Sequence, residues 1–537
     1  MEDSRPIIVF RVDGSTGIGS GHVMRCLTLA NAAALRGFRC LFVSRELHGS
    51  LATKITSSGH TSILLSKGGP PAPIEAGLYG QWLGTTEEHD SKSVIDALSE
   101  MLSDTCRLVV VDHYGLGSTW ESSLNRRVGI PILAIDDLDR RHESAFVLDV
   151  TFGKTAANYK GQLTEGTRTL VGPAYALLRP DFALLRNQAL LGRDDRLSRG
   201  TVKHVLVSMG GADETNATLW VTDALASLSE KRSFKIHVLL GAAYRHRASL
   251  DALQATLGDQ LAIHNDVAEM AALLSEMDLA IGAAGSSTWE RCCLGLPTIN
   301  LVLAENQETV ARMVANGGAA IDGGRLPTSE APDVWAKRII NPVLESSTLI
   351  ALSQAARDLV DGKGAGRVIA EIFSSLVRTS PLELRRATMD DASLLFEWQC
   401  DGRTRRYALN PAPPTWSEHR EWLLRKLNDP DCSFYVAEVA GIASGTVRLD
   451  RSASPPPPTA TEHEWREISI LTAPEFYGCD VGLRMIRALV ALHSEEDLVA
   501  RVLADNQASL RLFAKAGFSH YASELLFWPQ QTKRGTP

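Results

Sequence analysis

PIIVFRVDGSTGIGSGHVMRCLTLA, residues 6–30, opens as an apolar run, passes through four glycines and closes as a helical pattern. An apolar run without polar alternation is a strand buried on both faces, as in a parallel sheet. The glycines let the chain turn tightly and let a ligand reach the backbone. The following helix, from about residue 22 to 37, packs back onto the sheet. Strand, glycine turn and helix together begin a doubly wound α/β fold.

The alternation continues outward from this stretch. RCLFVSR (39–45), CRLVVVDHY (106–114) and GIPILAIDD (129–137) read as further buried strands. A second series starts near residue 203 with KHVLVSMGGAD, followed by FKIHVLLG, LAIHN, DLAIGAAGSS and LPTINLVL. Two Rossmann-like domains facing a cleft are expected, over residues 1–190 and 200–375. A third unit, residues 380–537, mixes strands and helices differently. LELRRATMDDASLLFEW reads as strand then helix, SFYVAEVAGIASGTVRLD as two strands around a turn at Gly441, and REISILTAP as another strand. SASPPPPTATEHE (452–464) is a proline-rich loop, and ASLRLFAKAGF an amphipathic helix ending at Gly517. Few apolar residues cross RTSPLEL (378–384), so a cut near 378 is expected to separate two soluble pieces.

Composition removes several classes of function. The net charge of −8 argues against a nucleic-acid partner, which would want a basic face. The sequence has no apolar run of the about 18 residues a membrane span needs. MEDSRPIIVF lacks the basic patch and apolar core of an export signal. The eight cysteines are scattered, with no CxxC pair and no Cys/His cluster at zinc spacing. A cytoplasmic protein with reduced thiols and no metal is the expectation.

In an open α/β sheet, ligands bind where strands end and helices begin. Two glycine turns of the second series follow strands: Gly210 and Gly211 in SMGGADETN, and Gly285, Ser286 and Ser287 in GAAGSSTWERCC. Together they point to a site for an anionic group. Glu290, on the first turns of the next helix, could accept both hydroxyls of a ribose; alternatively it is a surface helix residue. The first turn resembles a dinucleotide fingerprint, but the third glycine position of G-x-G-x-x-G is His22, which disfavours NAD. His22 falls in the first helical turn, where the helix dipole disfavours an imidazolium. A neutral imidazole at a cleft mouth is a competent general base. At the anomeric carbon of a sugar nucleotide the leaving group is the diphosphate, a weak base, so the chemistry asks for donors and one base rather than an acid. The alternative for His22 is a capping or loop histidine.

These residues resemble the UDP-sugar hydrolases of pseudaminic-acid biosynthesis. RVDGSTGIGSGHVMRCLTLA, VVVDHYGLGSTWE, AIDDLDRRH, VGPAYALLRPDF, VSMGGADETN and DLAIGAAGSSTWERCCLGLPTINLVLAENQ are similar to that family's blocks, in family order, over about residues 5–375. The resemblance implies a glycosyltransferase-B-like pair of Rossmann-like domains. It implies hydrolysis of UDP-2,4-diacetamido-2,4,6-trideoxy-β-L-altrose to the free sugar and UDP, with His22 as the catalytic residue. The G-x-G-H-x-x-R-C stretch gives Gly19, Gly21, His22, Arg25 and Cys26 here. The comparison also draws Asp13, Asp112, Tyr114 and Asn306 into the substrate site.

The third unit resembles the GNAT N-acetyltransferases, especially the sugar-nucleotide kind, through LRRATMDDASLLFEWQCDGRTRRYALN and DNQASLRLFAKAGF. The resemblance implies acetyl-CoA as co-substrate, held by the backbone of a splayed strand at Ile468 and Ile470, by a turn with Gly478 and Gly482, and by Asn506. YGCDVGLRM departs from the family's Q/R-x-x-G-x-G/A turn. Tyr477 stands at the Arg/Gln position and Asp480 at the first glycine, where a carboxylate would face a pyrophosphate. Phe513 stands where many relatives carry the tyrosine that protonates the CoA thiolate. A bifunctional acetyltransferase and hydrolase is therefore expected. The competitors are an inverting UDP-sugar glycosyltransferase with a degenerate GNAT domain, and a non-catalytic nucleotide-sugar binding protein.

Overall fold

The computed structural model describes residues 5–15, 17–66, 79–99, 105–211, 213–229, 233–241, 244–265, 267–326, 328–452, 454 and 465–528. Most of the proline-rich stretch, residues 455–464, lies outside the described residues.

The first parallel sheet has seven strands: β1 (Ile7–Val12), β2 (Arg39–Arg45), β3 (Thr61–Leu65), β4 (Cys106–Asp112), β5 (Ile132–Ile135), β6 (Phe146–Asp149) and β7 (Arg168–Val171). Their order is β3-β2-β1-β4-β5-β6-β7. The second has six: β8 (His204–Ser208), β9 (Lys235–Leu240), β10 (Leu261–Asn265), β11 (Leu279–Ala283), β12 (Thr298–Val302) and β13 (Ile321–Arg325), in the order β10-β9-β8-β11-β12-β13. Every pairing recorded in these two sheets is parallel, from β1·β4 to β12·β13. The apolar runs read from the sequence are these strands, and β1, β11 and β12 are buried along their whole length. Both sheets reverse direction of winding beside their first strand, between β1 and β4 and between β8 and β11. Such a switch point leaves a crevice at the carboxyl ends of the two central strands.

The third sheet is mixed: β14 (Leu382–Arg386), β15 (Ser433–Val439), β16 (Ile442–Arg451), β17 (Arg466–Thr472), β18 (Leu498–Arg501), β19 (Ser519–Ala522) and β20 (Leu525–Trp528), ordered β14-β15-β16-β17-β18-β20-β19. Thus the fold is two Rossmann-like α/β sheets followed by an α+β domain.

The chain divides into two compact units. The larger holds Ile7–Asn31 and Cys40–Ala365, so it contains nearly all of both parallel sheets. The smaller holds Met1–Pro6, Ala32–Arg39 and Gly366–Pro537. A cut near 378 therefore runs through the smaller unit, inside the helix Gly364–Thr379. In the larger unit the two halves share one apolar cluster, in which Ala176, Leu178 and Phe182 of the connecting segment pack with Trp289, Cys292 and Val314. Gly317 lies so close to Phe152 of the first half that a Cβ would come within 2.5 Å of its ring.

Candidate functional site

The helix Gly21–Leu35 starts where the sequence pattern expects it, and His22 is its second residue. Before it, Ser15 and Gly19 form an isolated bridge, with Gly19 in the left-handed region at φ +86°. Gly19 and Gly21 have open space where a side chain would stand, so the turn presents bare backbone. The helix register and the end of β4 bring His22 to Asp112, ninety residues along the chain, with Nδ1 2.6 Å from Oδ1. Arg25, one turn further on the same helix face, donates to both oxygens of Asp112 at 2.5 and 2.6 Å. Asp112 is fully buried. Burial alone would raise its carboxyl, but Arg25 and His22 outweigh it and hold the group below the usual carboxylate range.

In a neutral ring an ionised carboxylate on Nδ1 favours the tautomer with its proton there, which leaves the Nε2 lone pair free; Arg25 also lies 3.2 Å from Nδ1, and Nε2 receives no hydrogen bond from the described residues. Aromatic rings stand beside the imidazole: the Tyr114 ring is edge-on with centroids 4.6 Å apart, Trp82 lies at 6.1 Å, and Tyr79 packs against both Trp82 and Tyr114. The Tyr114 hydroxyl donates to Asp137 at 2.7 Å, and Arg25 also lies within 3.4 Å of that carboxylate.

Asp13 has a different place from the ligand-facing one expected. It is fully buried, and protein groups take its oxygens: Arg11 on both, the Arg45 amide on one, with His113 Nε2 3.3 Å from the other. Arg11 and Arg45 also converge on Asp90, which accepts from the Trp120 indole as well. This dry charge network underlies the glycine turn and fixes the end of β1 beside β4.

In the second sheet both glycine turns fall at the switch point, one after β8 and one after β11. Gly210, at φ +90°, and Gly211 have no atom where a Cβ would project. Asp213 closes that turn by accepting from the Ala217 and Thr218 amides, which caps the next helix. After β11, Gly285 is open, Ser286 is exposed and its side chain caps nothing. The Glu290 carboxylate accepts no hydrogen bond from the described residues, while its backbone carbonyl accepts from the Leu294 amide. Burial pushes its carboxyl up to about 7, against the pull of Arg179 and Arg291. Asn306 is exposed in the short turn Glu305–Gln307 after β12. Its neighbour Glu305, after burial and together with Asp137, raises the Tyr79 phenol.

Sequence reasoning missed Arg291. The side chain is buried beneath the second turn and donates only to neutral oxygens: Ser287 Oγ, Thr288 Oγ1, the Ala283 carbonyl and Asn300 Oδ1. Gly282 makes room for it, since a Cβ there would sit 2.9 Å from the guanidinium. Burial draws the guanidinium down to about 10. In sequence it reads as a surface residue of a helix. Asp137 and Trp82 were also passed over, although AIDDLDRRH already marked the first.

In the smaller unit β17 pairs with β16 along its whole length but with β18 only from Arg466 to Ile468. The backbone around Ile470 is therefore released on one edge, as expected of a splayed strand. Ile468 itself is core. Asp480 adopts the left-handed conformation, φ 56° and ψ 15°, that the family's glycine would supply. It is exposed and its side chain does not cap the helix Val481–Leu492. Gly478 is open at φ +81°. Gly482 is a packing glycine, with Leu512 3.0 Å from where a Cβ would stand. The Asn506 side-chain oxygen caps the helix Gln507–Lys515 through the Ser509 amide, which leaves only its NH2 for a ligand. Phe513 is buried, its ring 5.1 Å from Phe518.

Among the described residues no group of three or more His, Cys, Asp or Glu side chains is placed to hold a metal, and no helix is long and apolar enough to cross a membrane.

Comparison with known proteins agrees with the two resemblances. Residues 381–519 match the Acetyltransferase (GNAT) domain. A UDP-2,4-diacetamido-2,4,6-trideoxy-beta-L-altropyranose hydrolase of Campylobacter jejuni is 25% identical over 317 residues, 59% of this chain and 98% of that protein. The spore coat polysaccharide biosynthesis protein SpsG of Bacillus subtilis is 30% identical over 205 residues, 38% of this chain and 58% of that one. The uncharacterized protein MJ1062 of Methanocaldococcus jannaschii is 24% identical over 532 residues, 95% of this chain and 96% of its own. That relative spans both parts of this chain. The chain joins a stretch similar to a nucleotide-sugar hydrolase to a GNAT domain.

Proposed function

We propose that the larger unit hydrolyses UDP-2,4-diacetamido-2,4,6-trideoxy-β-L-altrose, or an epimer of it, to the free sugar and UDP. The observation that carries this is the His22–Asp112 pair, with Nε2 unpartnered, at one switch point of a unit whose other switch point offers two bare glycine turns. Similarity to the Campylobacter hydrolase supports the substrate class.

In this reading His22 Nε2 takes a proton from water as its oxygen attacks the anomeric carbon. The bond from that carbon to the phosphate oxygen breaks, and UDP leaves with the electron pair. Asp112 holds the ring and stabilises the imidazolium that forms, and Arg25 holds Asp112. The backbone of Gly210, Gly211 and Gly285, with Ser286 and Ser287, receives the diphosphate; Glu290 receives the ribose hydroxyls. Tyr114, Tyr79 and Trp82 wall the sugar, with Asn306 opposite. Asp13 acts beneath the site, through the Arg11 network.

The C-terminal domain transfers acetyl from acetyl-CoA to the 4-amino group of the UDP-sugar that precedes this substrate. The match to the GNAT domain, the released edge of β17 and the left-handed turn at Asp480 support it. A cytoplasmic location suits both substrates.

The test is product analysis by NMR with candidate UDP-sugars, with and without acetyl-CoA. UDP and free sugar without any acceptor support the hydrolase. UDP appearing only when an acceptor sugar is added makes the larger unit a glycosyltransferase instead.

A further inference from the structure

The smaller unit begins outside the part of the chain that matches the GNAT domain. It recruits Ala32–Arg39 and Gly366–Thr379, whereas the match runs over residues 381–519. Arg36 is the centre of the first recruited segment. It has no exposed surface. Its Nε donates to Glu475 at 2.5 Å, one terminal nitrogen donates to Glu397 at 2.6 Å, and the other donates to the Ala32 carbonyl at 2.8 Å. The buried Trp398 indole donates to the same Glu475 oxygen at 3.3 Å.

The backbone around Arg36 is built to bring it there. Gly37, at φ +102°, lies so close to Gly441 that a Cβ would be 2.3 Å from its carbonyl oxygen. The Ala443 amide, at the start of β16, donates to the Arg36 carbonyl at 2.9 Å. Phe38 packs on Phe373, with ring centroids 4.8 Å apart. No side chain larger than hydrogen fits at residue 37, so the approach is specified by sequence rather than incidental.

Glu475 stands two residues before Tyr477 and five before Asp480, in the short turn Pro474–Phe476. Pro474, Phe476 and Cys479 are buried, so the turn is pinned by apolar contacts on one side. The Glu475 carboxylate, only 7% exposed, is its charged anchor. From the other flank Arg484, in the helix after the turn, donates to the carbonyls of Val377 and Ser380. Two arginine contacts therefore hold the turn, and each crosses the edge of the matched domain.

We propose that Arg36 is a positioning residue for the acetyl-CoA turn, residues 474–482, holding it through Glu475. This rests on the reading of that turn as the pyrophosphate site. A buried carboxylate that loses its guanidinium is uncompensated, and the turn that carries it must move to reach water. Lysine keeps the charge but lacks the fork that serves two carboxylates and a carbonyl at once.

The experiment uses the full chain and reads amide hydrogen exchange across residues 473–482, with acetyl-CoA and UDP titrations beside it. In Arg36→Met the turn amides exchange at least about tenfold faster than wild type, and acetyl-CoA affinity falls by a similar factor, while UDP affinity stays. In Arg36→Met/Glu475→Gln, which removes both charges, exchange and affinity return towards wild type; a merely structural defect would not be rescued this way. Arg36→Lys lies between. Wild-type exchange and wild-type acetyl-CoA affinity in Arg36→Met overturn the proposal. If Arg36→Met loses UDP binding too, it is globally unfolded, and Glu475→Gln alone decides: unchanged exchange in the turn overturns the proposal. A wild-type chain that binds no acetyl-CoA defeats the acetyl-transfer reading, while the exchange measurement still judges the role of Arg36.

Discussion

The two parallel sheets carry the polar groups at their strand ends in opposite states. At the strand ends of the first, charges are matched: Arg11 and Arg45 against Asp13 and Asp90, Arg25 against Asp112. At the strand ends of the second, Arg291 donates only to neutral oxygens and the Glu290 carboxylate accepts nothing from the described residues. The difference teaches where each kind of work is done. A base must be held in one orientation before substrate arrives, so its partners are internal and permanent. A nucleotide site must be completed by the nucleotide, so it keeps a buried cation and an unpaired carboxylate.

Substitutions at His22 and Asp112 test the matched half and should have the largest effect. His22→Asn should lower the rate of UDP release by about 10²–10⁴-fold with UDP affinity within a few-fold, as expected for loss of a general base. Asp112→Asn should cost at least about 10²-fold in kcat, because an amide no longer dictates the Nδ1–H tautomer. Near-normal turnover in either variant, followed by UDP chromatography, would break the comparison at its stronger end.

Arg291→Met comes next. Removing a buried charge that braces the Ser287 turn should weaken UDP binding by about 10–100-fold, the worth of charged hydrogen bonds of about 1.5–3 kcal/mol. Calorimetry with UDP reads it directly, and an unchanged Kd would make Arg291 a fold residue only.

Glu290 gives a smaller effect with a distinctive pH signature. Its carboxyl is raised to about 7 by burial. UDP affinity should therefore climb as pH rises through about 7, where the carboxylate that accepts ribose hydroxyls forms. The stability of the ligand-free protein should move the other way. Between the ordinary carboxyl range and about 7 the folded state holds the proton and the unfolded state does not, so stability falls as pH rises across that window. Glu290→Gln should flatten both curves. Glu290→Ala should raise KM and spare kcat, since a ribose contact is alike in ground and transition states. A collapsed kcat would assign the carboxylate to chemistry.

The smallest effect is expected at Asp480. It is exposed, so its charge near a pyrophosphate is screened by water and salt. Asp480→Asn should tighten acetyl-CoA binding only a few-fold, and less at high ionic strength. A large gain would mean that the turn had lost its ligand through this one carboxylate.

Much of this was legible along the chain. The strands are apolar runs, the turns are glycines, and His22 stands out because a phosphate turn has no need of an imidazole. Arg25 is legible as its i+3 neighbour on one helix face. Asp13 shows the limit. Its position at a strand end placed it at the loop, but only the arrival of Arg11, Arg45 and His113 shows that it is enclosed. Asn506 matched a family position and is a helix cap. The seam near residue 378 looked polar and short, yet the smaller unit reaches back across it to Arg36.

By itself the sequence determined the periodicities: which segments are buried strands, where helices begin, and which turns must be glycine. Those are properties of neighbouring residues, set by local sterics and by burial of one face or two. Tertiary structure alone decided which charges meet. Asp112 lies 90 residues from His22, and Glu475 lies 439 from Arg36. A guanidinium reads the same in sequence whether it ends in water or between two carboxylates. Only packing, by removing the water, makes the partner necessary and gives each buried arginine and aspartate its task.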